Sequence, residues 1–202
     1  EALRQLRPAR RFVDIEHPLK SAVITSSVPG EGKSTTACNL AITLAQAGLK
    51  VVLVEADLRR PRVADYLGME GAVGLTSVLL GMVSLDDALQ PWGTGALQVL
   101  SSGPLPPNPS ELLGSSHMQE VLEKLEGRAD IILIDAPPLL PVTDAAILGA
   151  MTSGLVLIVR AGKTRREQVA RARTTIQGVG ATLLGSVLNM VPTKGPDSYT
   201  YG

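Results

Sequence analysis

The sequence predicts an α/β fold in which helices cover both faces of a mainly parallel central sheet. A glycine-rich turn, residues 26–32, joins an apolar run to a segment of helical apolar spacing, which is the order strand, turn, helix. Later apolar runs are continuous rather than alternating, as in strands that are buried on both faces. Two of these runs end in acidic residues, which suits the ligand-binding edge of an open α/β sheet.

The first predicted unit is the strand Ala22–Thr25 with the turn that follows it, Ser26-Ser27-Val28-Pro29-Gly30-Glu31-Gly32-Lys33-Ser34-Thr35. Backbone N–H groups of such a turn, with the positive end of the next helix, surround a polyphosphate. We expect Lys33 to reach the β- and γ-phosphates and the Ser34 hydroxyl to bind Mg²⁺. Ser27 stands where the pattern usually has its first glycine. The turn predicts a P-loop NTPase whose nucleotide-binding residues are Pro29, Gly30, Gly32, Lys33, Ser34 and Thr35.

The second predicted unit is a helix over Ala37–Ala47, which ends at Gly48, and the strand Val51–Val54. Glu55 and Asp57 follow that strand directly. Because ligands bind beyond the carboxyl ends of parallel strands, both carboxylates are expected beside the turn, where they hold Mg²⁺ directly or through water. The alternative is that the acidic pair only caps a helix.

The segment from residue 61 to residue 127 has weaker patterns. Its predicted elements are two short helices, one strand, a proline-rich loop and a helix of clear apolar spacing: Leu75–Leu80, Leu85–Leu89, Leu97–Leu100, Ser102–Pro109 and the helix that contains Met118, Val121, Leu122 and Leu125. Either Ser110 or Ser116 is expected to cap the last of these helices.

A second strong motif is the strand Ile131–Ile134 followed by Asp135. Four apolar residues and then an acid form the Walker B pattern, which places Asp135 on the metal or its water shell. The elements expected after it are a helix from Thr143-Asp144 to about Met151, a strand over Leu155–Val159, a helix over Gln168–Gly178 and a strand over Leu183–Leu188. Asn189 then stands at a strand end, where its amide either contacts the adenine edge or supports a turn.

The composition excludes several classes of protein. The formal net charge is zero, which gives no support for nucleic-acid binding. Two basic clusters, one near Arg4 to Arg11 and one from Lys163 to Arg173, are most simply interpreted as solvated helix faces. The single cysteine, Cys38, excludes an internal disulfide and suits a reducing cytoplasm. No apolar run approaches the roughly 18 residues that a membrane span needs.

The two termini differ from the rest of the chain. Residues 1–13 have the spacing of an amphipathic helix, with Glu1, Arg4 and Arg7 along one side. Residues 193–202 have no apolar periodicity and are expected to form a flexible tail that carries Tyr199 and Tyr201. We therefore expect one domain over residues 1–192 and a tyrosine-bearing tail over residues 193–202.

In combination, these motifs resemble one known family. The motifs in question are SSVPGEGKST, VVLVEADLRRP, ILIDAPP, LPPNPSELL and the N-terminal EALRQLR. They are similar to the motifs of the catalytic domain of bacterial protein-tyrosine kinases (BY-kinases), which control capsule and exopolysaccharide synthesis. The resemblance implies that Lys33 and Ser34 bind the phosphates of ATP and Mg²⁺. It also implies that Asp57 and Asp135 organise the metal and that Asp57 helps to deprotonate an incoming tyrosine hydroxyl.

The resemblance also implies partners. Glu1, Arg4 and Arg7 match the motif through which family members assemble into a ring, and Tyr199 and Tyr201 match a tyrosine cluster that is phosphorylated in trans. A fused or separate transmembrane partner would hold the domain at the cytoplasmic face of the bacterial plasma membrane, and a protein-tyrosine phosphatase would reverse the modification. No nucleic acid is implied.

Two alternatives remain open at this point. A partitioning or positioning ATPase of the deviant Walker A type carries an additional lysine where this chain has Val28, which argues against that class. A nucleotide-binding regulatory scaffold with weak kinase activity is the other. Glu55, at a position where the family usually has Asp, keeps this alternative open, because octahedral Mg²⁺ tolerates little displacement of a ligand.

Overall fold

The computed structural model of the protein describes residues 19–192. The predicted helix over residues 1–13, with Glu1, Arg4 and Arg7, lies outside the described residues, as do Tyr199 and Tyr201 of the predicted tail.

The described part of the chain folds around a seven-stranded sheet of order β3-β4-β2-β5-β1-β6-β7. Every neighbouring pair is parallel except β3 and β4. The strands are β1 Ser21–Ser26, β2 Val51–Glu55, β3 Gln90–Trp92, β4 Leu97–Leu100, β5 Ile131–Asp135, β6 Leu155–Arg160 and β7 Leu183–Asn189. The predicted mainly parallel sheet is therefore confirmed.

Eight helices connect these strands within residues 19–192. They are α1 Lys33–Gln46, α2 Val63–Leu67, α3 Leu75–Leu79, α4 Leu85–Ala88, α5 Pro109–Leu113, α6 Ser116–Glu126, α7 Asp144–Ala150 and α8 Arg166–Gly178. No helix of this part of the chain combines the length and the apolar character that a membrane crossing requires.

Two apolar cores lie on opposite faces of the sheet. Val52 and Val54 of β2 belong to one core, with residues of α3 to α8, whereas Val51 and Leu53 belong to the other, with residues of α1 and α2. This alternation follows from the period of two in a strand, and it explains why β2 is a continuous apolar run. The predicted cover of helices on both faces is confirmed.

Two elements differ from the expectation. β3 joins the edge of the sheet antiparallel to β4 and contains Pro91, which is tolerated only because an edge strand can lack a backbone donor. The helix α6 is capped by Ser115, whose hydroxyl accepts from the Met118 N–H at 3.3 Å. The expectation that Ser110 or Ser116 caps this helix is wrong, since Ser110 lies within α5 and Ser116 is already helical.

The register of the sheet determines where the site forms. Glu55 at the end of β2 pairs with Asp135 at the end of β5, and Ile24 of β1 pairs with the same Asp135. The carboxyl ends of β1, β2 and β5 therefore meet at one edge, and the glycine-rich turn after β1 lies at that edge.

Candidate active site

The turn between β1 and α1 has the backbone that its glycines permit. Gly30 and Gly32 adopt φ of 81° and 87°, a left-handed conformation that other residues rarely adopt. A Cβ on Gly32 would lie 2.3 Å from the Asn189 side-chain nitrogen, so a side chain there would displace the Asn189 amide. Ser27, at the usual first-glycine position, is buried, and its hydroxyl has no hydrogen-bond partner among the described residues.

Lys33 lies between two carboxylates. Its Nζ is 2.7 Å from Asp57 Oδ2 and 3.4 Å from Asp135 Oδ1, and it donates to Ser34 Oγ at 3.1 Å. Asp57 is oriented by its own loop, because its Oδ1 accepts from the backbone N–H of Arg60 at 3.0 Å. Residues predicted from separate motifs therefore surround one ammonium group.

Burial and charge act against each other at this cluster. Burial raises the pKa of Asp135 to about 6, although the neighbouring Lys33 and a hydrogen bond from Ser34 lower it. Burial also lowers the pKa of Lys33, but Asp135 and Asp57 together raise it above its ordinary value. Lys33 is therefore charged at neutral pH, and Asp135 carries a negative charge that its surroundings disfavour.

Glu55 is directed at backbone donors. It is fully buried, its Oε1 accepts from the backbone N–H groups of Arg62 and Val63, and its Oε2 accepts from that of Ser102 at 3.1 Å. The carboxylate thus joins the start of α2 to the loop after β4. Both oxygens accept from backbone N–H groups, which favours a structural role for Glu55 over the predicted role as a metal ligand.

Asn189 contacts the turn itself. Its Nδ2 donates to the Glu31 carbonyl at 2.9 Å, and its Oδ1 accepts from the Met190 backbone N–H at 2.9 Å. Both polar atoms of the amide support backbone in this structure, which favours the turn role over contact with adenine. The adenine role stays a prediction.

The structure also shows a group of contacts that the sequence patterns did not indicate. The Glu31 carboxylate accepts from the Val28 N–H at 2.9 Å and from the Thr164 hydroxyl, and the Arg160 guanidinium donates to the Gly30 carbonyl at 3.2 Å. The end of β6 and the loop after it therefore form hydrogen bonds with the turn between β1 and α1. These partners are about 130 residues apart in sequence, so no local pattern could reveal them.

A second unpredicted group holds the loop that carries Asp57. Arg59 Nε donates to Asp144 Oδ2 at 2.8 Å, and the Ser110 hydroxyl donates to Asp144 Oδ1 at 2.6 Å. Asp144 is fully buried at the start of α7. Arg59, Ser110 and Asp144 lie in three separate segments, which these hydrogen bonds connect at the Asp144 carboxylate. Asp57 lies two residues before Arg59.

The family comparison agrees with this geometry. A family model described as "ParA: NUBPL iron-transfer P-loop NTPase" matches residues 19–200. Over 201 residues, covering 100% of this chain and 85% of the relative, the sequence is 44% identical to the tyrosine-protein kinase YwqD of Bacillus subtilis (strain 168). The chain belongs to the bacterial tyrosine-protein kinases.

Solved structures with the P-loop NTPase fold resemble this kinase chain to different degrees. The kinase domain of Escherichia coli tyrosine kinase ETK is 32% identical with a TM-score of 0.91, and the match covers 100% of this chain and 79% of that one. The septum site-determining protein MinD of Pyrococcus horikoshii, complexed with Mg-ADP, is 25% identical with a TM-score of 0.74, over 89% of this chain and 74% of that one. The tyrosine kinase is the closer of these two neighbours.

The chain does not span every kinase relative to the same extent. It covers 28% of the length of the tyrosine-protein kinase etk of Escherichia coli (strain K12), with 33% identity.

Mg²⁺ fits part of the predicted ligand set of this kinase. Ser34, Asp57 and Asp135 offer hydroxyl and carboxylate oxygens, the ligands that Mg²⁺ prefers, and all three surround Lys33 Nζ. Glu55 accepts backbone hydrogen bonds in this structure, and its role as a metal ligand stays a prediction. Within residues 19–192 no three His, Cys, Asp or Glu side chains form a ready metal cluster. In proteins, Mg²⁺ usually keeps water and phosphate oxygens among its ligands.

Glu55→Gln is expected to lower the free energy of unfolding by about 2 kcal/mol, because the new amide directs its own N–H groups at backbone N–H donors that lose an acceptor. Urea unfolding at pH 7 measures this change. The matched control is Glu120→Gln on the exposed surface of α6, which should leave stability within about 0.5 kcal/mol.

A metal-ligand role for Glu55 predicts a different outcome. In that case Glu55→Gln would weaken the Mg²⁺ dependence of nucleotide binding while stability stayed unchanged. A magnesium titration of nucleotide binding on the same variant separates the two roles.

Proposed function

We propose that this protein-tyrosine kinase transfers the γ-phosphate of ATP to Tyr199 and Tyr201 of a second copy of itself. The observation that carries the proposal is the position of Lys33, at the phosphate-binding turn and between the carboxylates of Asp57 and Asp135. Family membership supplies the reaction class, and the tyrosines supply an acceptor in the chain's own sequence.

The proposed roles follow from the charges at the cluster. Lys33 neutralises charge on the β- and γ-phosphates, and Ser34 and Asp135 would hold Mg²⁺, which would neutralise further phosphate charge. Asp57 accepts the proton of the tyrosine hydroxyl while the tyrosine oxygen bonds to the γ-phosphorus. The bond from that phosphorus to the bridging oxygen breaks, and ADP leaves with the electron pair.

These roles require Lys33 to exchange partners. A nucleotide phosphate would replace Asp57 as the 2.7 Å neighbour of the ammonium group, which frees the Asp57 carboxylate to act as a base. Lys33 therefore couples phosphate binding to release of the proton acceptor.

The wider role of the chain is proposed from its family. Glu1, Arg4 and Arg7 would assemble copies into a ring in which each tail reaches a neighbouring site. Each phosphotyrosine adds about −2 charge, so phosphorylation would loosen the ring until a phosphatase removes it. A transmembrane partner would place this cycle at the cytoplasmic face of the membrane, where it regulates capsule or exopolysaccharide synthesis.

The test is a mixed assay with two complementary variants. Lys33→Met, which keeps both tail tyrosines, is incubated with MgATP and a Tyr199→Phe, Tyr201→Phe chain that keeps an intact site. We expect mass spectrometry to find phosphotyrosine on the Lys33→Met copy at residue 199 or 201. Tyr66, 56% exposed on α2, is an internal control that should stay unmodified.

Two other results would contradict the proposal. ATP turnover without phosphotyrosine in the wild-type chain would favour a positioning ATPase. Phosphotyrosine in the wild-type chain but not on the Lys33→Met copy of the mixture would exclude transfer between copies.

A further inference from the structure

A groove with basic side chains lies beside the phosphate-binding turn. It has a volume of about 560 Å³ and lies between residues 28–31 on one side and Arg160, Lys163, Arg165 and Gln168 on the other. A space of this size is in the usual range for ligand sites. We call it the basic groove.

The positive charges of the basic groove are not neutralised by the described part of the chain. Within residues 19–192, Arg160, Lys163 and Arg165 form no ion pair. Lys163 and Arg165 are exposed. The one acidic side chain in the lining, Glu31, is 2% exposed and accepts hydrogen bonds from the turn and from Thr164. The solvent-exposed surface of the basic groove is therefore cationic. The nearby acidic residue Glu167 lies outside the lining, in the first turn of α8.

The basic groove and the predicted γ-phosphate site share one wall. Arg160 donates to the Gly30 carbonyl at 3.2 Å, and Lys33 follows Gly30 by three residues. β7 ends at Asn189, whose side chain binds the Glu31 carbonyl, so the chain leaves the sheet beside this turn. From Pro192, seven residues reach Tyr199, a span of at most about 25 Å.

We propose that the basic groove binds the phosphotyrosyl group of the C-terminal segment, residues 193–202. A phosphotyrosine carries about −2 charge and three acceptor oxygens, which guanidinium and ammonium groups recognise by charge-assisted hydrogen bonds. The segment that occupies the groove is the chain's own, whereas the transfer proposed above acts on the segment of a second copy.

The proposal rests on the proposed function for the origin of the phosphotyrosine, but its test requires no phosphotransfer. Synthetic peptides of residues 193–202, unmodified or phosphorylated at Tyr199 or Tyr201, are titrated without nucleotide against the full chain in a Tyr199→Phe, Tyr201→Phe background. Fluorescence anisotropy should show at least a tenfold lower Kd for the phosphorylated peptides.

A matched pair of variants locates the binding site. Lys163→Ala with Arg165→Ala should raise the Kd of the phosphopeptide at least tenfold. Arg171→Ala with Arg173→Ala removes the same charge from exposed positions further along α8. This control pair should change the Kd of the phosphopeptide less than twofold.

Three results would overturn the proposal: equal affinity for the phosphorylated and unmodified peptides, unchanged affinity in the groove variant, or equal loss in both variants. Each leaves the kinase assay unaffected. Conversely, a chain that binds the phosphopeptide in the groove but makes no phosphotyrosine from MgATP supports the site and contradicts the proposed function.

Discussion

Replacing Lys33 by Met is expected to reduce both phosphotyrosine formation and ATP turnover on the order of a thousandfold. The substitution keeps the length and much of the volume of the side chain but removes the ammonium group that lies 2.7 Å from Asp57 and 3.4 Å from Asp135. That group is the cation that the turn itself supplies for the phosphates. Without it, the charge that develops in the transition state would be offset only by the backbone N–H groups of the turn and by Mg²⁺ where it is bound.

The control for this prediction is Lys50→Met, which removes the charge of an exposed lysine next to β2. That variant should keep its activity within about twofold, since surface substitutions have small effects. Phosphotyrosine and released ADP are measured on the same samples, and circular dichroism verifies that each variant is folded. Persistent phosphotyrosine in Lys33→Met would show that the site is misassigned.

The elements that sequence analysis predicted well are those set by local patterns. The strand Leu97–Leu100 has the predicted bounds. β2, β5, β6 and β7 each extend one residue further at the carboxyl end, and β1 extends one residue further at both ends. Continuous apolar runs determine these strands because burial on both faces leaves no polar positions. The turn, Lys33 and Asp135 were predicted as site residues for a similar reason: each lies at a fixed position relative to one strand.

The features that sequence analysis missed depend on contacts between distant segments. β3 is three residues long and contains Pro91, so its position beside β4 rather than its own pattern makes it a strand. Glu55 accepts a hydrogen bond from Ser102, 47 residues away, and Asp144 accepts one from Arg59, 85 residues away. Sequence position alone predicted Glu55 as a metal ligand and could not indicate its backbone hydrogen bonds.

The contacts of Glu55 also change the argument about kinase activity. Its difference from the usual Asp suggested a weakened metal site and hence a regulatory scaffold. The longer side chain instead accepts from three backbone donors, two at the start of α2 and one in the loop after β4. The substitution therefore has a structural explanation, and it no longer favours the scaffold over the kinase.

Asp135→Asn is expected to raise the free energy of unfolding at pH 7 by about 3 kcal/mol while it abolishes phosphotyrosine formation. The carboxylate is fully buried, and burial raises its pKa from 3.8 to about 6. A tenfold change in proton affinity is worth about 1.4 kcal/mol, so holding this group ionised in the folded chain costs about 3 kcal/mol. Asn has the shape of the protonated acid without that cost.

The expected gain depends on pH in a defined direction. Below about pH 4 the carboxyl group is protonated in both folded and unfolded chains, and the two proteins should have similar stability. Between pH 4 and 6 the folded chain holds a proton that the unfolded chain releases, so the wild type loses stability as the pH rises through the raised pKa. The advantage of the variant should therefore grow from near zero at pH 4 to its full value above pH 6.

Urea unfolding of both proteins from pH 4 to pH 8 measures this difference. Asp65→Asn is the control, because Asp65 is a 70% exposed carboxylate on α2, and its effect should stay small and show no such trend. A variant less stable than wild type at every pH would mean that the ion pair with Lys33 outweighs the cost of burying Asp135. The predicted outcome would instead mean that the chain gives up stability to keep this carboxylate ionised at the site where Mg²⁺ and phosphate are proposed to bind.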